Sequence, residues 1–292
     1  MVKKEIAGLC LLWLATLALA IMAAFWLPEA LFPSYEVHAD AASPKQGQTM
    51  IILIRGVPAW LTPSCRLDKA DIPVYRAGPG CWRALIPVAG DARGSKSLVV
   101  AIRGFKSWTW ERAIQIEKVR FRSQKIRISK KKTALFQDPE VPDAGRKMRA
   151  ATEAENPEQL WRGRFQKPVE AAVTGPFGNR RVLGKKIRYF HKGADLAAPK
   201  GARVRAANRG RVTLAGRYPL QGNVVVLDHG QGVQTAYMHL DAILVQEGQW
   251  ADKGQPIGTV GATGIATGPH LHWGVYVHGV PVNPQDWLRR TF

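Results

Sequence analysis

Residues 222–239 read GNVVVLDHGQGVQTAYMH, and their pattern decides the fold of the C-terminal part of the chain. Two β-rich runs, Asn223–Leu227 and Gln234–His239, are separated only by a short turn that contains Gly230 and Gly232. Such a turn joins antiparallel strands, because a parallel crossover needs a dozen or more residues. Similar runs lie at 203–206, 211–214, 242–246, 256–260 and 270–277, and none has a long helical period. The sequence therefore predicts a compact antiparallel β domain over residues 169–292.

Short β-rich runs also precede this domain. They lie at Thr49–Ile54, Trp82–Pro87, Leu98–Ile102, Ala113–Ile116 and Val119–Ile128, and turn clusters such as residues 77–80 and 90–94 separate them. This spacing is typical of an antiparallel sandwich. Residues 31–130 are therefore predicted to form an immunoglobulin-like β-sandwich that acts as an accessory domain, so that the protein as a whole is mainly β.

Residues 131–168 are predicted to be a linker with a helix. Asp143 is positioned to cap a helix that runs to about Trp161, with Pro157 interrupting or restarting it. The run Lys130-Lys131-Lys132 is interpreted as a solvated linker face, which is the usual meaning of a short charge run. Whether residues 130–165 cover a groove of the C-terminal domain stays open.

The N-terminus contains an apolar segment, Ile6–Leu27, without a charged residue. As a helix it reaches roughly 33 Å, which matches a hydrocarbon core of about 30 Å. Lys3 and Lys4 precede it and acidic residues follow it, which orients the remainder outward. We expect residues 1–30 to be a single-pass membrane anchor, with the bulk of the chain on the periplasmic or extracellular side. A cleaved signal peptide is the alternative, since Ala39-Asp40-Ala41 matches a cleavage pattern.

The chain carries 42 Lys and Arg against 22 Asp and Glu, a formal net charge of +20. This balance favours a polyanionic partner. Because the chain is expected to be exported, nucleic acid is excluded, and anionic wall polymers or lipid headgroups remain as partners. Outside the cytoplasm Cys65 and Cys81 are expected to form a disulfide, with two unpaired buried thiols as the alternative.

Three short histidine patterns carry the chemistry of the C-terminal domain. They are His191-Lys192-Gly193-Ala194-Asp195, Tyr237-Met238-His239-Leu240 and His270-Leu271-His272. Even spacing in an extended chain places side chains on one face, so the members of the first and third patterns point together. Two imidazoles and one carboxylate form a ligand set that suits Zn²⁺ and leaves a position for water. The Gly- and Thr-rich loop 261–269 runs directly into His270 and allows a substrate to approach closely.

Five sequence blocks carry a resemblance to a known family: Phe177-Gly178-Asn179-Arg180, His191-Lys192-Gly193-Ala194-Asp195, residues 222–230, Tyr237-Met238-His239-Leu240 and Thr267-Gly268-Pro269-His270-Leu271-His272. In this order they resemble the lysostaphin/LytM-type zinc metallopeptidases. The resemblance implies a small antiparallel β domain with a groove and a peptidoglycan endopeptidase activity. It also implies that Zn²⁺ is held by His191, Asp195 and His272 and that His239 and His270 are catalytic.

A subgroup of this family has lost its metal-binding residues and activates other wall hydrolases. Here all five positions are filled, so the sequence predicts an active zinc endopeptidase, and a non-catalytic activator or scaffold is the alternative. Either His239 or His270 can deprotonate the zinc-activated water or stabilise the oxyanion, and the sequence does not assign these roles. The remaining histidines, His38, His229 and His278, have no partner pattern and are excluded from the site.

Overall fold

The computed structural model describes residues 35–104, 107–183 and 187–292. Strands in antiparallel sheets dominate this part of the chain, which confirms the mainly β prediction. The predicted anchor, Ile6–Leu27, lies outside the described residues. Within the described ranges, no helix has both the length and the apolar character that a membrane crossing requires.

Eight strands form the N-terminal unit. They are β1 (Glu36–Ala39), β2 (Thr49–Arg55), β3 (Pro63–Leu67), β4 (Ala70–Ile72), β5 (Val74–Gly78), β6 (Cys81–Pro87), β7 (Ser95–Ile102) and β8 (Trp108–Gln115). They make two four-stranded sheets, ordered β1-β2-β6-β5 and β4-β3-β7-β8. Alternate residues of β2, such as Ile52 and Ile54, are buried together with Leu98 and Val100 of the other sheet. The two sheets therefore share one apolar core, and the immunoglobulin-like class of this unit stays a prediction.

The predicted disulfide between Cys65 and Cys81 is wrong, because both cysteines are free. Cys65 is buried in the core between the two sheets, where Trp82 and Ala84 of β6 also lie. Since side chains alternate along a strand, Cys81 faces the opposite side of its sheet from Trp82. Burial raises the pKa of the Cys65 thiol to about 12, which keeps it protonated at neutral pH.

The last predicted strand of the accessory domain, Val119–Ile128, belongs to a different sheet. Only Ser123–Ile126 is a strand (β9), and it pairs in parallel with β11 (Arg180–Leu183). β11 also pairs with β12 (Ile187–Phe190), so these strands form a three-stranded sheet in the order β12-β11-β9. A segment that the sequence places in the accessory domain thus pairs with a strand that the sequence places in the C-terminal domain.

Two helices follow β9 in the linker. Helix α1 (Lys130–Ala134) continues into a 3-10 turn (Leu135–Gln137), and helix α2 spans Val141–Thr152. The predicted start of the long helix at Asp143 is wrong, since Glu140 occupies the N-cap position of α2, and the helix ends before Pro157. Asp143 instead lies in the first turn of α2, where its carboxylate suits the helix dipole.

The C-terminal domain is built on one large antiparallel sheet. Its strands are β10 (Ala172–Gly175), β13 (Ala194–Ala197), β14 (Arg203–Arg205), β15 (Gly210–Tyr218), β16 (Gly222–Asp228), β17 (Val233–Ile243), β18 (Trp250–Ala251), β19 (Pro256–Val260), β20 (Leu271–Val277) and β21 (Val280–Val282), and helix α3 (Pro284–Arg289) follows them. The central order is β10-β13-β20-β17-β16-β15-β18. The tight turn between β16 and β17 is the antiparallel connection that the sequence predicts.

Both faces of the central strands are covered, which explains the continuous apolar run in β16. Val225 and Leu227 face the main core, which also contains Trp273 and Trp161 and extends to Leu85 of β6. The intervening valines of β16 face the other side, where they pack with side chains of α2. The sandwich and the linker helix therefore both pack against the sheet of the C-terminal domain and hold it between them.

Candidate active site

The strand register brings the predicted metal ligands together. Asp195 in β13 is directly opposite His272 in β20, and such cross-strand neighbours have Cβ atoms about 4.5–5.5 Å apart. His191 follows β12 and reaches the same point: its Nε2 atom lies 3.0 Å from Asp195 Oδ1 and 3.0 Å from His272 Nδ1. The third side of this triangle, from His272 Nδ1 to Asp195 Oδ1, measures 2.9 Å. Three atoms that can bind a metal ion, all from buried residues, thus converge on one point.

Contacts behind the ligands fix their orientation. His191 Nδ1–H donates to the carbonyl of Pro176 at 2.9 Å, so Nε2 carries the lone pair that faces the other ligands. The guanidinium of Arg181 donates to Asp195 Oδ2 and leaves Oδ1 for the imidazoles. Burial alone would raise the pKa of Asp195, but its contacts with His191 and His272 outweigh burial and hold the pKa well below its usual range. The carboxylate is therefore ionised.

Gly193 gives the ligands room. A Cβ atom at this position would lie 2.5 Å from the carbonyl oxygen of Trp273 and 2.7 Å from Nε2 of His272. The carbonyl oxygen of Trp273 is part of the β20 backbone and cannot shift without disturbing the strand pairing. The His272 ring would have to rotate away from the other two ligand atoms. The spacing between His191 and Asp195 therefore needs glycine at its centre for close packing against β20.

Replacing Gly193 with alanine is expected to displace the His272 ring and weaken zinc binding. The affinity should fall about 10–100-fold, which is typical when a residue that positions a metal ligand is replaced. Zinc retained after dialysis against graded chelator measures this change. Gly145→Ala is the matched control, because a Cβ atom there would meet nothing within 4 Å. Equal zinc retention in the two variants would contradict this account of the site.

Two further histidines stand beside the ligands. His239 lies at an irregularity of the β16–β17 pairing and has a φ of 63°, a left-handed conformation that is uncommon for residues other than glycine. Irregularities of this kind often re-aim a side chain next to an active site. The ring centroids of His239 and His270 are 5.0 Å apart, and His270 Nε2 lies 3.8 Å from Asp195 Oδ1. The structure thus brings all five predicted site residues into one cluster.

Backbone carbonyls hold both of these rings in the same way. His239 Nδ1–H donates to Thr263 at 2.9 Å, and His270 Nδ1–H donates to Gly268 at 2.8 Å. Each ring therefore keeps Nε2 free for another partner. Burial, together with the neighbouring imidazoles of His270 and His272, lowers the pKa of His239 to about 3. His239 is consequently neutral near pH 7 and presents a lone pair on Nε2.

The histidine cluster borders two cavities, which share several lining residues. One of about 330 Å³ is lined by β9, by Asp195 and by the loop 265–270. The other, of about 640 Å³, is lined by Phe136, Met148 and Arg149 of the linker together with His191 and His272. His239 and Arg181 border both cavities. The linker therefore borders the larger cavity, which answers the question that the sequence left open.

Lys132 is not fully solvated, in contrast to the prediction for the run Lys130-Lys131-Lys132. Its ammonium group donates to the carbonyl of Ala262 at 3.2 Å and to that of Ala266. Both carbonyls belong to the Gly- and Thr-rich loop that leads into His270. Lys132 thus attaches the linker to a wall of the active-site cleft, whereas Lys130 and Lys131 are exposed.

The excluded histidines lie elsewhere. His229 is buried in the core, and its ring nitrogens contact the Arg209 carbonyl at 2.7 Å and Thr235 Oγ1 at 2.8 Å. Burial lowers its pKa to about 4, so it is neutral. His278 contacts Glu155, and His38 is exposed on β1.

The donor set fits zinc. Burial lowers the pKa of His272 to about 4, and a neutral imidazole is the form that binds a metal. One ionised carboxylate and two imidazoles match catalytic zinc sites, which keep a fourth position open. His191, Asp195 and His272 would hold the ion, and His239 and His270 face the same cleft. This combination of an antiparallel β domain and a histidine–aspartate–histidine site defines a metallopeptidase-type centre.

Comparisons with known proteins agree with this class. Residues 189–284 match Peptidase family M23. Over 116 residues the chain is 43% identical to the DD-carboxypeptidase/endopeptidase Mpg of Neisseria meningitidis serogroup B, a match that covers 40% of this chain and 27% of that protein. It is 41% identical over 122 residues to the peptidoglycan DD-endopeptidase ShyB of Vibrio cholerae, which covers 40% of this chain and 28% of that protein. The matches thus span less than a third of each relative's length.

The fold is shared more widely than the sequence. A crystal structure from Pseudomonas aeruginosa, described as a candidate peptidase M23, superposes with a TM-score of 0.62 at 24% identity. The similarity covers 84% of this chain and 95% of that one. The chain thus shares the fold of that structure, and the match of residues 189–284 to Peptidase family M23 confirms the resemblance seen in the sequence motifs.

Proposed function

We propose that this protein is a zinc-dependent endopeptidase that hydrolyses amide bonds in the stem or cross-bridge peptides of peptidoglycan during cell-wall remodelling. One observation carries the proposal: three converging ligand atoms and two further histidines face a single cleft. A degenerate activator would not need this complete set. The names of the relatives Mpg and ShyB support the choice of peptide substrate.

The residues of the cleft have different proposed roles in amide hydrolysis. When bound, Zn²⁺ activates water at neutral pH and polarises a carbonyl group. His239 and His270 both face the cleft with Nε2 free, so either ring can accept a proton there. His270 holds its own Nε2 next to Asp195 and, when protonated, is suited to donate a hydrogen bond to a developing oxyanion. The backbone carbonyls of Thr263 and Gly268 keep these two rings in place throughout.

The proposed location follows from the substrate and from the N-terminal sequence. Peptidoglycan lies outside the cytoplasmic membrane, and the apolar segment Ile6–Leu27 has the length and flanking charges of an anchor. We therefore place the described domains on the outer side of that membrane. The positive charge of the chain suits anionic wall polymers or lipid headgroups as additional partners.

A digestion experiment tests this function. Purified peptidoglycan is incubated with the full-length protein, with and without a chelator, and the released fragments are identified by mass spectrometry. We expect new termini within stem or bridge peptides, their loss with chelator, and their recovery when zinc is restored. Unchanged peptidoglycan together with stimulation of a second wall hydrolase would overturn the proposal in favour of an activator.

A further inference from the structure

The first half of the loop 261–269 is attached to the large sheet of the C-terminal domain. The hydroxyl of Thr263 donates to the carbonyl of Leu240 in β17 at 2.7 Å. The backbone amide of Asn223 in β16 donates to the same hydroxyl oxygen at 3.0 Å. The carbonyl of Thr263, which orients the ring of His239, is therefore held by bonds inside the family-matched domain.

The second half of this loop is attached in another way. Within the described ranges, the backbone of residues 266–269 forms hydrogen bonds only with the side chains of Lys132 and His270. The bond from His270 runs from its ring to the carbonyl of Gly268, so this ring is oriented only as well as the loop is held. Lys132 supplies the contact from outside the loop, because its ammonium group donates to the carbonyl of Ala266.

The linker presents Lys132 to the loop from a fixed backbone. Ser129 caps helix α1, and its hydroxyl oxygen accepts a hydrogen bond from the amide of Lys132 at 3.3 Å. A lysine ammonium has three donors, and here a second donor reaches the carbonyl of Ala262 at 3.2 Å. Lys132 precedes the family-matched residues 189–284. The loop that leads into His270 is therefore supported by a residue outside the M23 match.

We propose that Lys132 is a positioning residue that holds residues 266–269 in place and thereby orients the imidazole of His270 in the active-site cleft. This inference rests on the proposed endopeptidase function, in which His270 is one of the two histidines that are not metal ligands. Lys132 acts through the loop carbonyls and not on the reacting atoms. Such support matters because a misplacement of about 1 Å can lower a rate about 10²-fold.

Replacing Lys132 with methionine tests the proposal, because methionine keeps an unbranched stem and removes all three donors. The zinc-loaded full-length protein is assayed on a soluble cross-linked peptide. We expect kcat to fall about 10–100-fold, with KM and zinc content near those of the parent. Lys132→Arg retains donors and should keep most of the rate.

Lys130→Met and Lys131→Met are the matched controls, because both lysines are exposed in the same helix and the same charge is lost. They should keep the rate of the parent. A linker that merely closed the cleft would give the opposite sign, since loss of Lys132 would then raise the rate. An unchanged or higher kcat in Lys132→Met would overturn the positioning role.

A double variant separates positioning of His270 from a general loss of stability. If Lys132 acts through this imidazole, Lys132→Met should cost nothing further once His270→Ala has removed the ring. Single-turnover rates of the parent, the two single variants and the double variant measure this coupling. Two effects that simply multiply in the double variant would show that Lys132 does not act through His270.

NMR of the histidine rings measures the same effect without catalysis. In zinc-loaded protein with ¹⁵N-labelled histidine, the signals of His270 are those that disappear in His270→Ala. We expect them to shift or broaden in Lys132→Met and to stay in place in Lys130→Met. Unchanged His270 signals would overturn the role of Lys132. A parent that cleaves neither the peptide nor purified peptidoglycan would overturn the proposed function instead, and these signals would then decide the role of Lys132 separately.

Discussion

Replacing His272 with alanine is expected to remove zinc and peptidoglycan hydrolysis together. In the proposed site His272 is one of three protein ligands, and its Nδ1 atom lies 2.9 Å from Asp195 Oδ1 and 3.0 Å from His191 Nε2. Two ligands alone do not hold a catalytic zinc ion firmly, since such sites use three. Metal analysis of the dialysed protein and release of peptidoglycan fragments measure both effects.

His38→Ala is the control for this variant, because His38 is exposed on β1, far along the chain from the ligand motifs. It should keep both zinc and activity. Thermal unfolding of the His272→Ala protein in the presence of chelator, compared with the parent under the same conditions, separates loss of metal from loss of fold. Equal zinc content in His272→Ala and the parent would refute the ligand assignment.

Replacing His239 should have the second largest effect, with the opposite result for the metal. The side chain lies outside the triangle of ligand atoms, so zinc content should stay near that of the parent. The hydrolysis rate should fall about 10²–10⁴-fold, because a positioned proton acceptor contributes that much to a rate. Metal content and single-turnover cleavage of a soluble peptide are the two measurements.

The backbone at His239 requires a second variant. Its φ of 63° is unfavourable for alanine, whereas asparagine tolerates this conformation better. His239→Asn therefore keeps the backbone and removes the imidazole. Both variants should lose activity and keep zinc. Zinc loss in His239→Asn, or activity close to that of the parent, would show that the role of His239 is misassigned.

Much of this site follows from the sequence because its parts are local. The pair His191 and Asp195 and the pair His270 and His272 have spacings that alternation along an extended chain places on one side. The turn between β16 and β17 is short enough to require antiparallel pairing. The register between β13 and β20 brings the two pairs together. Spacing along the chain does not predict this register, and the common ligand set was predicted only from the family resemblance.

Other features depend on contacts that the sequence does not encode locally. Arg181 follows the Phe177–Arg180 block by one position, but its pairing with Asp195 depends on how β11 meets the large sheet. The run Val119–Ile128 is β-rich, and nothing in its pattern says that β9 pairs with β11. Cys65 and Cys81 have a suitable separation for a disulfide, yet the alternation within β6 turns Cys81 away from the core.

The short strands of the accessory unit show a further limit. β1, β3, β4 and β5 contain charged or turn-forming residues and lie partly at the surface, so they have little apolar alternation. β1 and β5 pair with the apolar strands β2 and β6, β3 pairs with β7, and β4 pairs with β3 at the edge of its sheet. Tertiary pairing thus decides structure where local propensity is weak.

The central claim is that His191, Asp195 and His272 form the zinc site of the proposed endopeptidase. Zinc K-edge X-ray absorption of the purified full-length protein, with metal content determined on the same sample, tests it most directly. We predict one zinc ion per chain, surrounded by nitrogen and oxygen neighbours with the scattering signature of two imidazoles, and the loss of that signal in His272→Ala. Sulfur neighbours, a single imidazole, or an unchanged spectrum in His272→Ala would contradict it.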